Sequence, residues 1–171
     1  RYAKQPSPHA RPLKTVLRLV CGHRDGGKTA YLRELAHLTG AAGFLSPKVL
    51  GSQGLLGYDL LALPGGERRP LARVAGAAGA RWFRFRRFFF DQTAFDWALE
   101  GARELVLEGE GPLILDELGP LEAREQGFHG VLPLFLETGR ELTVSCRPSL
   151  ADHFSKLAPP GRPVRRLDLA P

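Results

Sequence analysis

At 171 residues, 43% hydrophobic and 25% charged, the chain suits one domain large enough to bury a core, which excludes the disordered and fibrous classes. No apolar run approaches the roughly 20 residues needed to cross a bilayer, and the basic, proline-bearing start from Arg1 to Lys14 lacks a signal-like apolar stretch, so a cytoplasmic protein with no membrane partner is expected. The formal charge of +6 would attract a nucleotide, a nucleic acid or any other polyanion and selects none of them. The chain opens without methionine and contains none, as expected of a trimmed chain or a piece of a longer polypeptide.

In chain order, residues 1–12 carry Pro6, Pro8 and Pro12 and little to bury, so they read as a flexible basic tail, with a single domain over residues 13–171. Val16 to Cys21 has strand length and an apolar run broken only by Arg18. The period then changes: Tyr31, Leu32, Leu35 and Leu38 recur at helical spacing from Lys28, and Gly40 supplies a stop. Glycine-rich sequence from Gly43 to about Ala80 predicts hairpins and loops, with Leu55 to Leu63 the best strand.

Arg81 to Phe90 alternates arginine with aromatics. Trp82, Arg84 and Arg86 fall on one side and Phe83 and Phe85 on the other, before three phenylalanines enter the core. A half-buried strand is the leading reading of this stretch; a lid over a bound nucleotide and a base-stacking surface for single-stranded nucleic acid are the alternatives. Asp91 makes an N-cap for a helix whose apolar face carries Phe95, Ala98, Leu99, Ala102, Leu105 and Val106 and which ends near Gly109. Pro112 to Leu115 is a buried-strand run that delivers Asp116 and Glu117 at its end. A third helix carries Val131, Leu132, Phe135 and Leu136, with Pro133 requiring it to start nearby or kink. Leu142 to Ser145 reads as a strand, Ser149 to Leu157 as a helix and Val164 to Leu169 as a last strand. Cys21 and Cys146 both close apolar strands and read as reduced core thiols.

Alternation of strands and helices predicts an α/β fold with three layers. Its sheet is mainly parallel, an inserted β-hairpin region lies between the first helix and the second core helix, and ligands sit at the strands' carboxyl ends. Two motifs fall at such ends. Gly22-His23-Arg24-Asp25-Gly26-Gly27-Lys28-Thr29 fits G-x-x-x-x-G-K-[ST], with strand before and helix after. Glycines let successive N–H groups point inward at phosphate oxygens, and the helix N-terminus adds partial positive charge. Lys28 would reach the β and γ phosphates, and the Thr29 hydroxyl would ligate magnesium. Asp25 is out of character, since a carboxylate there repels phosphate unless it is turned outward or paired, with Arg24 or His23 the nearest candidates.

The second motif, a hydrophobic strand ending in Asp116-Glu117, is the other half of a nucleotide-hydrolysis site. Asp116 would hold magnesium through water, and Glu117 would orient or deprotonate the attacking water. Ser145 and Arg147 end the next strand; if it lies between the motif strands, a polar side chain there could sense the γ-phosphate. Arg147 is the better charge-stabiliser, with a surface arginine as the alternative. Glu122 has the same open status.

These residues resemble the small P-loop nucleoside-triphosphatases known from thermophiles and animals. The likeness rests on Gly22 to Thr29, on Gly43-Phe44 and Gly57-Tyr58, on the helix near Phe95, and above all on Leu115-Asp116-Glu117-Leu118-Gly119-Pro120-Leu121-Glu122 followed by Phe128. It implies slow, unselective hydrolysis of ATP, GTP and other triphosphates with magnesium, Lys28, Thr29, Asp116 and Glu117 taking the roles above. Several positions depart from the family pattern: Lys48, Leu50 and Leu55 stand where glutamate and arginine are usual, and Pro120 stands where a lysine is. Ala30, the last residue of the nucleotide-binding segment, replaces a hydroxyl that would reach the α-phosphate. Relatives also continue past Pro171 into a helix with an Asn-Arg pair. Two other functions are compatible with the same motifs: a kinase moving the γ-phosphoryl group to a small nucleoside-like or cofactor acceptor, and a nucleotide-gated adaptor whose basic face docks on a protein or nucleic acid.

Overall fold

A computed structural model describes residues 15–75, 79 and 81–171; the expected tail at 1–12 lies outside the described residues. Its elements run β1 (Leu17–Cys21), α1 (Lys28–Thr39), β2 (Ala42–Leu45), β3 (Lys48–Gly51), β4 (Gly54–Leu63), β5 (Arg68–Arg73), β6 (Trp82–Phe85), β7 (Phe88–Asp91), α2 (Gln92–Leu107), β8 (Leu113–Leu118), α3 (Pro120–Ala123), α4 (Val131–Glu137), β9 (Leu142–Cys146), α5 (Ala151–Ser155) and β10 (Val164–Asp168). Short 3-10 turns at Gly127–Gly130 and Pro148–Leu150 lead into α4 and α5.

All ten strands join one sheet, ordered β10-β1-β9-β8-β2-β4-β5-β7-β6, with β3 paired to β4. The parallel core is β10-β1-β9-β8-β2. From β2 onward every added pairing is antiparallel, so the inserted hairpins extend the core sheet rather than forming a separate layer. Strand β9 lies between β1 and β8, the arrangement on which a role for Arg147 depends.

Apolar side chains sort to the two faces by strand alternation. Val20, Leu45 and Ile114 meet Leu32 and Ala36 of α1 on one face. Leu17, Leu19, Phe44, Leu113 and Leu115 meet α2, α4 and α5 on the other, where Phe95, Phe135 and Phe154 fill the interior. Leu38, counted in the apolar stripe of α1 from spacing alone, is 73% exposed: the stripe that packs is Leu32 and Ala36, one turn apart, flanked by the partly buried Tyr31 and Leu35. Gly40, at φ 69°, ends the helix with its N–H on the Ala36 carbonyl.

The Asp91 side chain caps α2 by accepting the Thr93 N–H at 2.9 Å. Helix α4 begins two residues before Pro133, which places the proline in its first turn, where no N–H is required. The 81–90 stretch is a hairpin that turns at Arg86 and Arg87. Of its three successive phenylalanines only Phe88 and Phe90 face the core side, because alternation turns Phe89 outward beneath Arg84. Cys21 and Cys146 are register partners, buried and free, with sulfurs 3.8 Å apart. Burial and the neighbouring sulfur push the Cys146 thiol up to about 12, so it stays protonated.

Gly43 and Gly57 explain their place in the family pattern. At φ 139° and 154° both adopt backbone open to glycine, and an added Cβ would lie 1.9 Å from the Ile114 carbonyl at Gly43 and 1.9 Å from the Ala72 carbonyl at Gly57.

Candidate functional site

Strand β1 ends at Cys21 and the chain folds over the start of α1, its turn closed by the Gly26 N–H on the His23 carbonyl at 2.9 Å. Gly27 caps α1 at φ 82° with no side-chain acceptor, and the first turn carries no acidic residue. The N–H groups and positive dipole end of this helix start are chemically suited to an anion. Lys28 is buried at 3% exposure, and its ammonium donates to the carbonyls of Gly22 and His23 at 2.8 and 2.9 Å. That leaves the charge at the rim of the loop, 3.9 Å from the Glu117 carboxylate.

Asp25 pairs with neither Arg24 nor His23. In left-handed backbone, φ 63°, it lines the cleft beside the loop and forms an ion pair with Lys48 of β3. Both partners are substantially exposed, so the pair contributes little stability; its effect is to set a cation against a carboxylate that would otherwise repel phosphate at the cleft wall. Lys48, noted as a departure from the family pattern, is thus the partner that the sequence did not reveal. Ala30 follows Thr29 in the first turn of α1 and offers no hydroxyl.

Two strands away in the sheet, the pairing of β8 with β9 slips between Leu115 and Leu118, and Glu117 has φ 62°. This bulge brings two consecutive acids to the mouth of the sheet. Positive φ at a non-glycine residue costs about 1 kcal/mol or more, and bonds to Ser145 offset that cost. The Ser145 hydroxyl accepts the Glu117 N–H at 2.8 Å and donates to Asp116 Oδ1 at 2.5 Å. Wholly buried, Ser145 engages its hydroxyl with both acids and holds them in place. Asp116 Oδ2 accepts from the Thr29 hydroxyl at 2.7 Å and from the Ser46 N–H at 3.1 Å.

The two motifs, 87 residues apart in the chain, are joined directly by the Thr29–Asp116 bond. Their donors suit magnesium, a hard cation that accepts a hydroxyl and a carboxylate and completes its shell with phosphate and water. Among the described residues no group of three or more His, Cys, Asp or Glu could hold a metal without such help.

Glu117 lies between the carboxylate of Asp116 and the cations of Lys28, Arg147 and Arg24. Desolvation first, and then the Asp116 charge, lift its pKa above the usual glutamate range, while the cations pull the other way. Glu122, whose role sequence left open, is buried in a structural post. One oxygen accepts the Gly119 N–H at 2.8 Å, the other the Phe128 N–H at 3.1 Å, fastening the turn after β8 to the wall beyond it. Burial pushes its pKa up to about 7 against the pull of those bonds.

A folded-state value above the free-chain one means that stability is full below about pH 4.5 and falls as pH rises through 7. Relative to Glu122→Gln, which has no such proton, the parent should lose up to about 3 kcal/mol between pH 5 and pH 8, read as diverging urea midpoints.

A family model described as NTPase matches residues 18–158. The chain belongs to that NTPase family. The solution structure of a human cancer-related nucleoside triphosphatase is similar to it at TM-score 0.69 and 21% identity, over 91% of this chain and 89% of that one. The crystal structure of THEP1 from the hyperthermophile Aquifex aeolicus is similar at TM-score 0.67 and 17% identity, over 91% and 90%. No curated protein matches by sequence. The resemblance first read from the motifs is therefore a family membership, and the NTPase is an α/β nucleoside-triphosphatase that binds and hydrolyses nucleotides. Among the described residues, no helix of this NTPase is long and apolar enough to cross a membrane.

Proposed function

We propose that this NTPase hydrolyses magnesium-bound ATP, GTP and related triphosphates to diphosphate and phosphate, with the Gly22–Ala30 segment holding the phosphates. The observation that carries the proposal is the convergence of Thr29 on Asp116 at 2.7 Å with Lys28 3.9 Å from Glu117, which places cation, hydroxyl and both acids at one point. Bound magnesium would neutralise charge building on the phosphate oxygens, held by Thr29 and, through water, by Asp116. The chain's own part begins with the loop N–H groups and Lys28, which fix the triphosphate. Glu117 then orients a water and takes its proton as the oxygen meets the γ-phosphorus. Arg147 and Arg24, both acting electrostatically on Glu117, stabilise charge on the transferring group. Breadth toward the base follows because these contacts all read phosphate. A cytoplasmic location, where such triphosphates are held, is part of the same proposal.

The test is phosphate release from ATP and GTP with magnesium and with a chelator, for the parent and for Lys28→Ala, beside triphosphate affinity. Chelation should stop release. Lys28→Ala should weaken binding about 10- to 100-fold, the worth of a charged hydrogen bond. A parent that releases no phosphate from either triphosphate with magnesium present overturns the proposal.

A further inference from the structure

Glu117 is shared by two recesses. On one side is the phosphate cleft, lined by residues such as Gly27, Lys28 and Thr29. On the other is a cavity of about 370 Å³ whose walls are Tyr58, Phe85, Phe88, Phe90, Phe95 and Phe128. Hydrolysis requires room for one water, about 30 Å³ in the liquid; this cavity has the size and aromatic lining of a site for an organic molecule. Ser46 is among its lining residues, and the buried Ser46 hydroxyl has no hydrogen-bond partner.

Positive charge also surrounds it. The guanidinium groups of Arg86 and Arg87 lie 5.5 Å from the Phe85 ring and 4.9 Å from the Phe88 ring, and neither has a carboxylate partner among the described residues. Arg24 and Arg147 line the end nearer Glu117. A ligand matched to this lining joins a flat ring to an anionic group and presents a hydroxyl to Glu117.

We propose that the cavity is an acceptor site, and that the enzyme transfers the γ-phosphoryl group to the hydroxyl of a nucleoside-monophosphate-like molecule bound there. The proposal rests on the triphosphate reading above, since it needs the γ-phosphate beside Glu117. In the transfer, the acceptor O–H gives its proton to the Glu117 carboxylate as its oxygen bonds to the γ-phosphorus. The bond from that phosphorus to the β–γ bridging oxygen breaks, and the nucleoside diphosphate leaves with the electron pair. Water is then the substitute acceptor when the cavity is empty, and hydrolysis the slower outcome. The aromatic hairpin β6–β7 thereby takes a recognition role: its core-side phenylalanines bind the ring, and its turn arginines bind the anion.

The full chain with magnesium and γ-labelled ATP should be offered nucleoside 3′-monophosphates, which carry ring, anion and a free 5′-hydroxyl, and in parallel the nucleosides themselves. Label is expected in an organic phosphate ester from the 3′-monophosphates, with the nucleosides about tenfold poorer or worse for want of the anion. Arg86→Ser with Arg87→Ser should raise the acceptor KM by at least about tenfold while leaving phosphate release without acceptor unchanged. Label found only in inorganic phosphate, at a rate indifferent to every acceptor, overturns the acceptor site and leaves hydrolysis standing. Absence of both release and transfer shows instead that the triphosphate reading has failed, and the acceptor site falls with it.

Discussion

Changing Glu117 to glutamine is expected to lower phosphate release by about 10²- to 10⁴-fold, the usual contribution of a positioned general base, while triphosphate affinity stays close to that of the parent. Glutamine keeps the shape and the backbone bulge, whose anchor is the Glu117 N–H on Ser145 rather than the carboxyl group. What it loses is the ability to take a proton. The pH profile separates this loss from a structural one. A carboxylate takes a proton only when ionised, so release by the parent should climb with pH along a limb where Glu117 loses its own proton. In the glutamine variant that limb should be absent. A variant that loses affinity and turnover together, with its pH limb intact, would assign Glu117 to binding and leave the base unidentified.

Gly43→Ala should be the most damaging small substitution in the sheet. The new methyl would occupy the Ile114 carbonyl, in the one parallel pairing that joins β2 to the motif strand β8. Neither backbone is a flexible side chain that could move aside, so the ladder must open. The expected loss is about 3 kcal/mol or more, and at about 2–4 °C per kcal/mol for a domain of this size the melting midpoint should drop by roughly 10 °C. Gly65→Ala is the control: nothing lies near its added Cβ, and it should shift stability by less than about 0.5 kcal/mol.

What sequence revealed and what it hid follow from range. Signals confined to a few neighbours were legible: the strand–loop–helix around Gly22 to Thr29, the Asp91 cap, and the apolar run that carries Asp116 to a strand end. Relations set by strand neighbours were not. That Ser145 would spend its hydroxyl on the bulge depends on β9 lying beside β8, and the Asp25–Lys48 pair depends on where β3 hangs from β4. The glycine-rich stretch was read as hairpins and loops because its short strands have weak alternation. Their continuity with the core sheet comes from hydrogen bonds that leave no periodic trace. Glu122 shows the same limit, since an acid after a strand looks equally suited to chemistry and to clasping two backbone N–H groups.

The order of the sheet has a consequence for how the molecules behave toward one another. Among the described residues, its open ends are β10, with Arg165 and Arg166, and β6, with Arg84 beside the Arg86-Arg87 turn. Each end offers unpaired backbone to a second molecule, and each would bring arginine against arginine if it were taken up. Surplus positive charge placed there works as colloidal protection, repelling the strand-to-strand stacking that an extended ten-stranded sheet would otherwise invite. Added salt, by screening that repulsion, would weaken the protection first at these two borders.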